Sequence, residues 1–163
     1  MKHAAIKLGN EKTVTLSASK HNEIQAAIIN EFVPQFVKDG EVLYVGDITN
    51  KGTHLDKKIL RELKIPIDMN SKLPDVVIYD RKNNWIFLIE TIASHGPVSP
   101  KRRIELEESF KDCKAGRIYV TVFPDLLEFS NHSDNIAWET NVWAVDSPSH
   151  MIHFNGNKFI RPR

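Results

Sequence analysis

The chain has 163 residues, 41% hydrophobic and 26% charged, which suits one globular domain with a substantial core and excludes a disordered chain. Lysine plus arginine (22) nearly balances aspartate plus glutamate (21), so no global field pulls the protein onto nucleic acid, and any such binding must use local clusters. No apolar run approaches the ~20 residues of a membrane span, no signal core follows Met1, and the single Cys113 cannot form an internal disulfide, so a soluble, cytoplasmic protein is expected.

In chain order, Ser17 or Ser19 can cap a first helix whose apolar positions Ile24, Ala27, Ile28, Phe32 and Phe36 keep helical spacing, with Pro34 a kink near its end. Glu41 to Ile48 reads as a strand, Leu55 to Leu63 as a short helix, and Leu73 to Tyr79 and Trp85 to Ile92 as two further strands. The polar link Asp80-Arg81-Lys82-Asn83-Asn84 closes those two into an antiparallel hairpin. After the Gly/Pro-shaped loop from Ser94 to Pro100, Ser99 can cap and Pro100 can open a helix through Lys111, with Ile104, Leu106 and Phe110 giving partial apolar spacing. A strand from Arg117 to Phe123, a helix from about Pro124 to Trp138, and strands at Asn141 to Val145 and His150 to Phe154 follow. Such an order implies a single α/β domain built around a mixed sheet, with Trp85, Trp138 and Trp143 as packing residues.

The hairpin raises the functional question. Asp75 stands just before Val76-Val77-Ile78, and Glu90 ends Trp85-Ile86-Phe87-Leu88-Ile89, where a sheet would ordinarily place another β-branched or aromatic side chain. An acid in that setting must be exposed, paired or functional. Fourteen residues separate the two, a span that lets them converge on one sheet edge, as a hard oxygen-seeking cation such as Mg²⁺ requires. Two solvated strand ends account for the spacing equally well.

Pro74-Asp75 followed by Glu90 in an LIE strand resembles the PD-(D/E)XK nuclease core. More narrowly, KHNEIQ, LYVGDI, LPDVVIYD, NWIFLIETIASHGPVSPKR and IAWETNVWAVDSPSHMIHFNG, in that order between about Ser19 and Pro162, resemble the catalytic region of the BsuBI/PstI family of type II restriction endonucleases. The resemblance implies a central mixed β-sheet flanked by helices and a metal-dependent endonuclease acting on double-stranded DNA. It implies a Mg²⁺ cofactor, for which Mn²⁺ can substitute, held by Asp75, Glu90 and the backbone carbonyl of Thr91. It further implies a homodimer, a cognate DNA methyltransferase as partner, and CTGCAG, read by founding members, as one palindromic target. Products would carry a 5′-phosphate and a 3′-hydroxyl.

Two departures qualify this reading. The lysine of the general motif, two residues beyond the glutamate, falls on Ile92, which cannot move a proton. Lys101 is the first candidate for a relocated catalytic cation and Lys51 the second. Family members also carry a further N-terminal helical region, and only about eighteen residues precede the first matching helix, so residues 1–163 read as one catalytic domain. A first-helix glutamate can reach the metal in this nuclease class: Glu23 has the motif, Glu31 the periodicity, and Glu23 is preferred. Asp47 is either another strand-end acid near the metal or part of a Gly-Asp turn. Ser94, His95, Lys101, Arg102 and Arg103 are the DNA-contact candidates, the last three because cations at a helix N-terminus oppose its dipole. His150 and His153, three apart in a strand, point to opposite faces and are not joint metal ligands. Two alternatives stay open: a structure-selective repair or recombination nuclease, and a catalytically inert DNA-binding or assembly module.

Overall fold

A computed structural model describes residues 4–7, 13–16, 19–46, 54–67, 73–92 and 96–157. Strands β1 (Ala4–Lys7) and β2 (Thr13–Leu16) pair as a small antiparallel ribbon. The first helical stretch runs without interruption as α1 (Lys20–Ala27), a π-helical segment (Ile28–Phe32) and α2 (Val33–Phe36), with Pro34 at the start of the last piece. It is followed by β3 (Glu41–Val45), β4 (His54–Leu55), α3 (Lys57–Glu62), β5 (Val76–Asp80), β6 (Trp85–Thr91), α4 (Pro100–Ser109), β7 (Gly116–Phe123), α5 (Leu126–Ser130), a 3₁₀ turn (Ser133–Asn135), β8 (Asn141–Ala144) and β9 (Ile152–His153). Among the described residues, seven strands form one mixed sheet in the order β4-β3-β5-β6-β7-β8-β9. β5 and β6 are the expected antiparallel hairpin, closed through Asp80 opposite Trp85, and β6, β7 and β8 run parallel. Asn84 closes the hairpin turn at φ 54°, a left-handed conformation that asparagine tolerates.

Strand alternation sorts the core into two layers. Val76, Ile78, Phe87, Ile89, Val120, Val122 and Trp143 meet Ile24, Ile28 and Phe32 on one face. Val77, Tyr79, Ile86, Leu88 and Tyr119 meet Leu106, Phe110 and Leu60 on the other. Phe32, fully buried, sits edge-on to both Phe87 and Trp143. The fold is therefore the expected mixed sheet between helices. Several expectations need correction. The helix from Pro124 to Trp138 is a short α5 and a 3₁₀ turn, because Asn131-His132-Ser133-Asp134-Asn135 supplies local turn-forming polar groups and no apolar stripe. Ile104 is exposed, so Leu106 and Phe110 alone carry α4's buried face, and Trp85 and Trp138 are exposed where packing was expected. The segment 54–55 is strand, and the following helix begins only after Asp56, whose side chain caps it at Ile59 N.

Candidate active site

Because β6 alternates, its last two residues leave on opposite faces of the sheet. Glu90 continues the Ile86/Leu88 face and meets α4; Thr91 continues the Phe87/Ile89 face and meets α1. Asp75, at the start of β5, lies beside both, since Val76 is paired with Ile89 in the neighbouring strand. The two acids and the threonine thus gather where β6 ends, at the carboxyl end of the parallel part of the sheet. Ligand sites of α/β proteins form at such ends.

Each member is held by a short network. Asp75 is 7% exposed, and its Oδ2 accepts from the Thr91 backbone N–H at 2.7 Å and from Thr91 Oγ1 at 3.1 Å. Thr91 Oγ1 is 2.8 Å from His21 Nδ1, and His21 Nε2 is 4.0 Å from Asp75 Oδ1. Gln25 donates from Nε2 to the carbonyls of Gly46 and Asp75, tying α1 to the ends of β3 and β5. Glu90 is fully buried; its Oε1 accepts from Arg102 Nε at 2.9 Å and from the Nη2 of the same guanidinium at 2.7 Å, while Oε2 has no donor. Burial first, then the negative charge of Asp75, pushes the Glu90 carboxyl from 4.5 up to about 8, against the opposing pull of Arg102.

Asp75, Glu90 and Thr91 are brought together, as the sequence implied. Glu23 is not: it is exposed, whereas His21, Asn22 and Gln25 are buried, and Glu31 is exposed as well. The helical phase explains the correction. His21, Ile24, Gln25 and Ile28 stand at i, i+3, i+4 and i+7, one face of a helix, and Glu23 falls off it. Reading the polar members of KHNEIQ along with its apolar ones would have found His21 and Gln25. Lys101 is corrected in the same way. It is exposed, and the cation that reaches Glu90 is Arg102, four residues before the buried Leu106 and so on α4's inner face. Ser99 accepts from Arg102 N at 3.1 Å, which places that turn. Arg103 pairs with Glu107, donates to the Trp138 carbonyl and stacks over Tyr119. Of the three cations expected on DNA phosphate, two therefore have protein partners. Ile92 packs with the Phe123 and Ile136 cluster. Asp47, Lys51, Ser94 and His95 lie outside the described residues. His153 pairs with Asn141 and Glu139, away from the acids.

Among the described residues no group of three histidine, cysteine or acidic side chains could hold a metal. A pair of carboxylates nonetheless suits Mg²⁺, which keeps several waters and takes one or two protein carboxylates plus phosphate oxygens. The buried Glu90 Oε2 without a donor, beside a second carboxylate, is the arrangement a cation would complete.

Comparisons with known proteins bear on the family and the fold. Residues 4–157 match the family model described as the BsuBI/PstI restriction endonuclease domain. The chain is 43% identical over 157 residues to type II restriction enzyme BsuBI of Bacillus subtilis, covering 96% of this chain and 50% of that enzyme. It is 26% identical over 162 residues to type II restriction enzyme AplI of Arthrospira platensis, covering 95% and 50%. The structure of SdaI restriction endonuclease superposes with a TM-score of 0.90 at 33% identity, over 98% of this chain and 50% of that one. The chain thus spans about half the length of the curated relatives it matches.

Proposed function

The chain belongs to the BsuBI/PstI restriction endonuclease domain family, and from that premise we propose that it is a catalytic domain hydrolysing phosphodiester bonds of double-stranded DNA with Mg²⁺, for which Mn²⁺ can substitute. The observation that carries the reading is the convergence of Asp75 and the Glu90 carboxylate, whose Oε2 has no donor, at the end of β6, in a chain of this family. Asp75, Glu90 and the Thr91 carbonyl would hold the metal, which when bound activates water and neutralises charge on the phosphoryl transition state.

The chain's own side chains supply the rest. Thr91 fixes Asp75 through two donors to one oxygen, so the carboxylate cannot rotate freely. Arg102 holds Glu90 through Oε1 and brings a permanent positive charge to the edge of the site. A guanidinium stays protonated, so Arg102 serves to stabilise charge on the phosphate and not to take a proton from water. It takes the electrostatic half of the role that a motif lysine would fill, which reassigns Lys101 to phosphate contact on the exposed start of α4. Ser94 and His95, four and five residues past Glu90 in sequence, are DNA contacts in the same reading. A homodimer suits a palindromic target, because two-fold symmetry places one site on each strand. A cognate methyltransferase and a cytoplasmic setting belong to the same reading. Of the described residues, none forms a helix long and apolar enough to cross a membrane.

The second reading, an inert DNA-binding module, draws on Ile92 in the place of the motif lysine. Plasmids with and without CTGCAG, incubated with the protein in Mg²⁺, Mn²⁺ or EDTA, separate the possibilities. Discrete metal-dependent fragments with 5′-phosphate ends are expected. Cutting that follows DNA structure and not sequence indicates a repair-type nuclease, and binding without cutting indicates the inert module.

A further inference from the structure

His21 is buried at 4% exposure in the first turn of α1, and nothing in the hydrolysis proposed above uses it. Its ring is placed by the helix start: Ser19 caps α1 by accepting from Asn22 N at 3.1 Å, which sets the turn that carries His21 onto Thr91. A hydroxyl has one hydrogen to give. Thr91 Oγ1 gives its hydrogen to Asp75 Oδ2, an oxygen that also takes the Thr91 backbone N–H, and so Oγ1 is left to accept from His21 Nδ1. The result is a one-directional chain, His21 Nδ1–H to Thr91 Oγ1–H to Asp75 Oδ2, with the second ring nitrogen 4.0 Å from the other carboxylate oxygen.

We propose that His21 is a positioning residue of the metal centre, which acts through the Thr91 hydroxyl to fix the orientation in which the Asp75 carboxylate meets the cation. The inference rests on Asp75 being a metal ligand. It assigns to the first helix a function different from the one a glutamate ligand would have: α1 contributes no ligand and instead orients one from outside, as hydrogen-bonded outer residues orient carboxylate ligands elsewhere. It also explains why a histidine, costly to bury, stands on the inner face of α1, where an apolar side chain would pack more cheaply.

The test is Mn²⁺ binding to the whole chain, read from the electron paramagnetic resonance signal of the free ion, with thermal unfolding of every variant beside it. His21→Leu and Thr91→Val are each expected to weaken Mn²⁺ binding by about tenfold or more. The double variant is expected to be no weaker than the worse single one, since both cut the same chain. His21→Asn, whose amide N–H stands near the place of Nδ1, is expected to restore binding to within about threefold of wild type. A purely structural histidine would lower the unfolding temperature and leave metal affinity alone, and that result overturns the inference. So do losses that multiply in the double variant, or His21→Asn binding as weakly as His21→Leu. If His21→Leu does not fold, Thr91→Val decides: unchanged Mn²⁺ affinity overturns the proposal. Asp75→Asn separates the two levels. If it abolishes Mn²⁺ binding while the Thr91 and His21 variants do not weaken it, only the positioning role falls; if it leaves binding unchanged, or wild type binds none, the metal assignment falls and this inference with it.

Discussion

Asp75 and Glu90 repel each other at the mouth of the hairpin, and burial denies both the water that would screen them. The consequence is measurable without DNA. In the metal-free protein the Glu90 carboxyl titrates near 8 instead of 4.5, so the folded chain holds a proton that the unfolded chain has released across that window. The contribution to stability is fully present below about 4.5 and is lost as the pH rises through about 8. Urea unfolding in EDTA should therefore show wild type losing stability relative to Glu90→Gln between pH 5 and pH 9 (roughly this window), and Mg²⁺ should close the gap. A constant difference across that range would mean that Glu90 is already ionised when folded. Arg102 gives the complementary case. Arg102→Met leaves Glu90 without its cation and raises its carboxyl further still, so the loss should grow as the pH rises past 8, toward ~3–5 kcal/mol once the carboxylate is forced to ionise, and fall at low pH where Glu90 holds its proton in both proteins. At this scale the acids were legible, because a carboxylate ending an apolar strand has no ordinary packing role. Arg102 and His21 were not singled out for the site's interior because helical phase was applied to the apolar residues and the glutamates of the first helix and not to its other polar residues or to the cations of α4.

Whole elements determine which side chains meet. The fourteen-residue spacing of the acids works only because β5 and β6 pair in the register Val76 opposite Ile89, which sets Asp75 beside the end of β6. The turn Asp80 to Asn84 is polar and short, so that hairpin was readable, as was the start of α4 at Ser99-Pro100. The break between α5 and the 3₁₀ turn was not, since an apolar start at Leu126 and Leu127 imitates a longer helix; both side chains prove exposed. Nor was the π-helical segment, whose extra residue per turn leaves no mark in apolar spacing over so short a span. Three substitutions test the elements. Ser99→Ala removes the cap that places Arg102 and should cost about 1 kcal/mol in thermal or urea unfolding. Phe32→Ala empties the junction of Phe87 and Trp143 and should cost ~3–5 kcal/mol, against a small effect for the exposed Leu127→Ala. Equal losses at the two positions would contradict the layer assignment.

Across the molecule, the mixed sheet places its parallel strands so that β6 delivers the site between α1 on one face and α4 on the other. Each helix sends one polar side chain to the strand end, His21 to Thr91 and Arg102 to Glu90. The architecture was legible from strand and helix order, and the family from ordered blocks of sequence spread along nearly the whole chain. The near-neutral net charge gave no such guidance, because the proposed activity needs its cations only where phosphate is contacted. The most direct test of the central claim is cleavage of supercoiled plasmid in Mg²⁺ by wild type, Asp75→Asn and Glu90→Gln, all shown to be folded. The account predicts metal-dependent cutting by wild type that falls by at least about a hundredfold in each variant, the scale lost when one transition-state stabilising group is removed. Cutting that persists in EDTA, or that either variant retains at the wild-type rate, would contradict it.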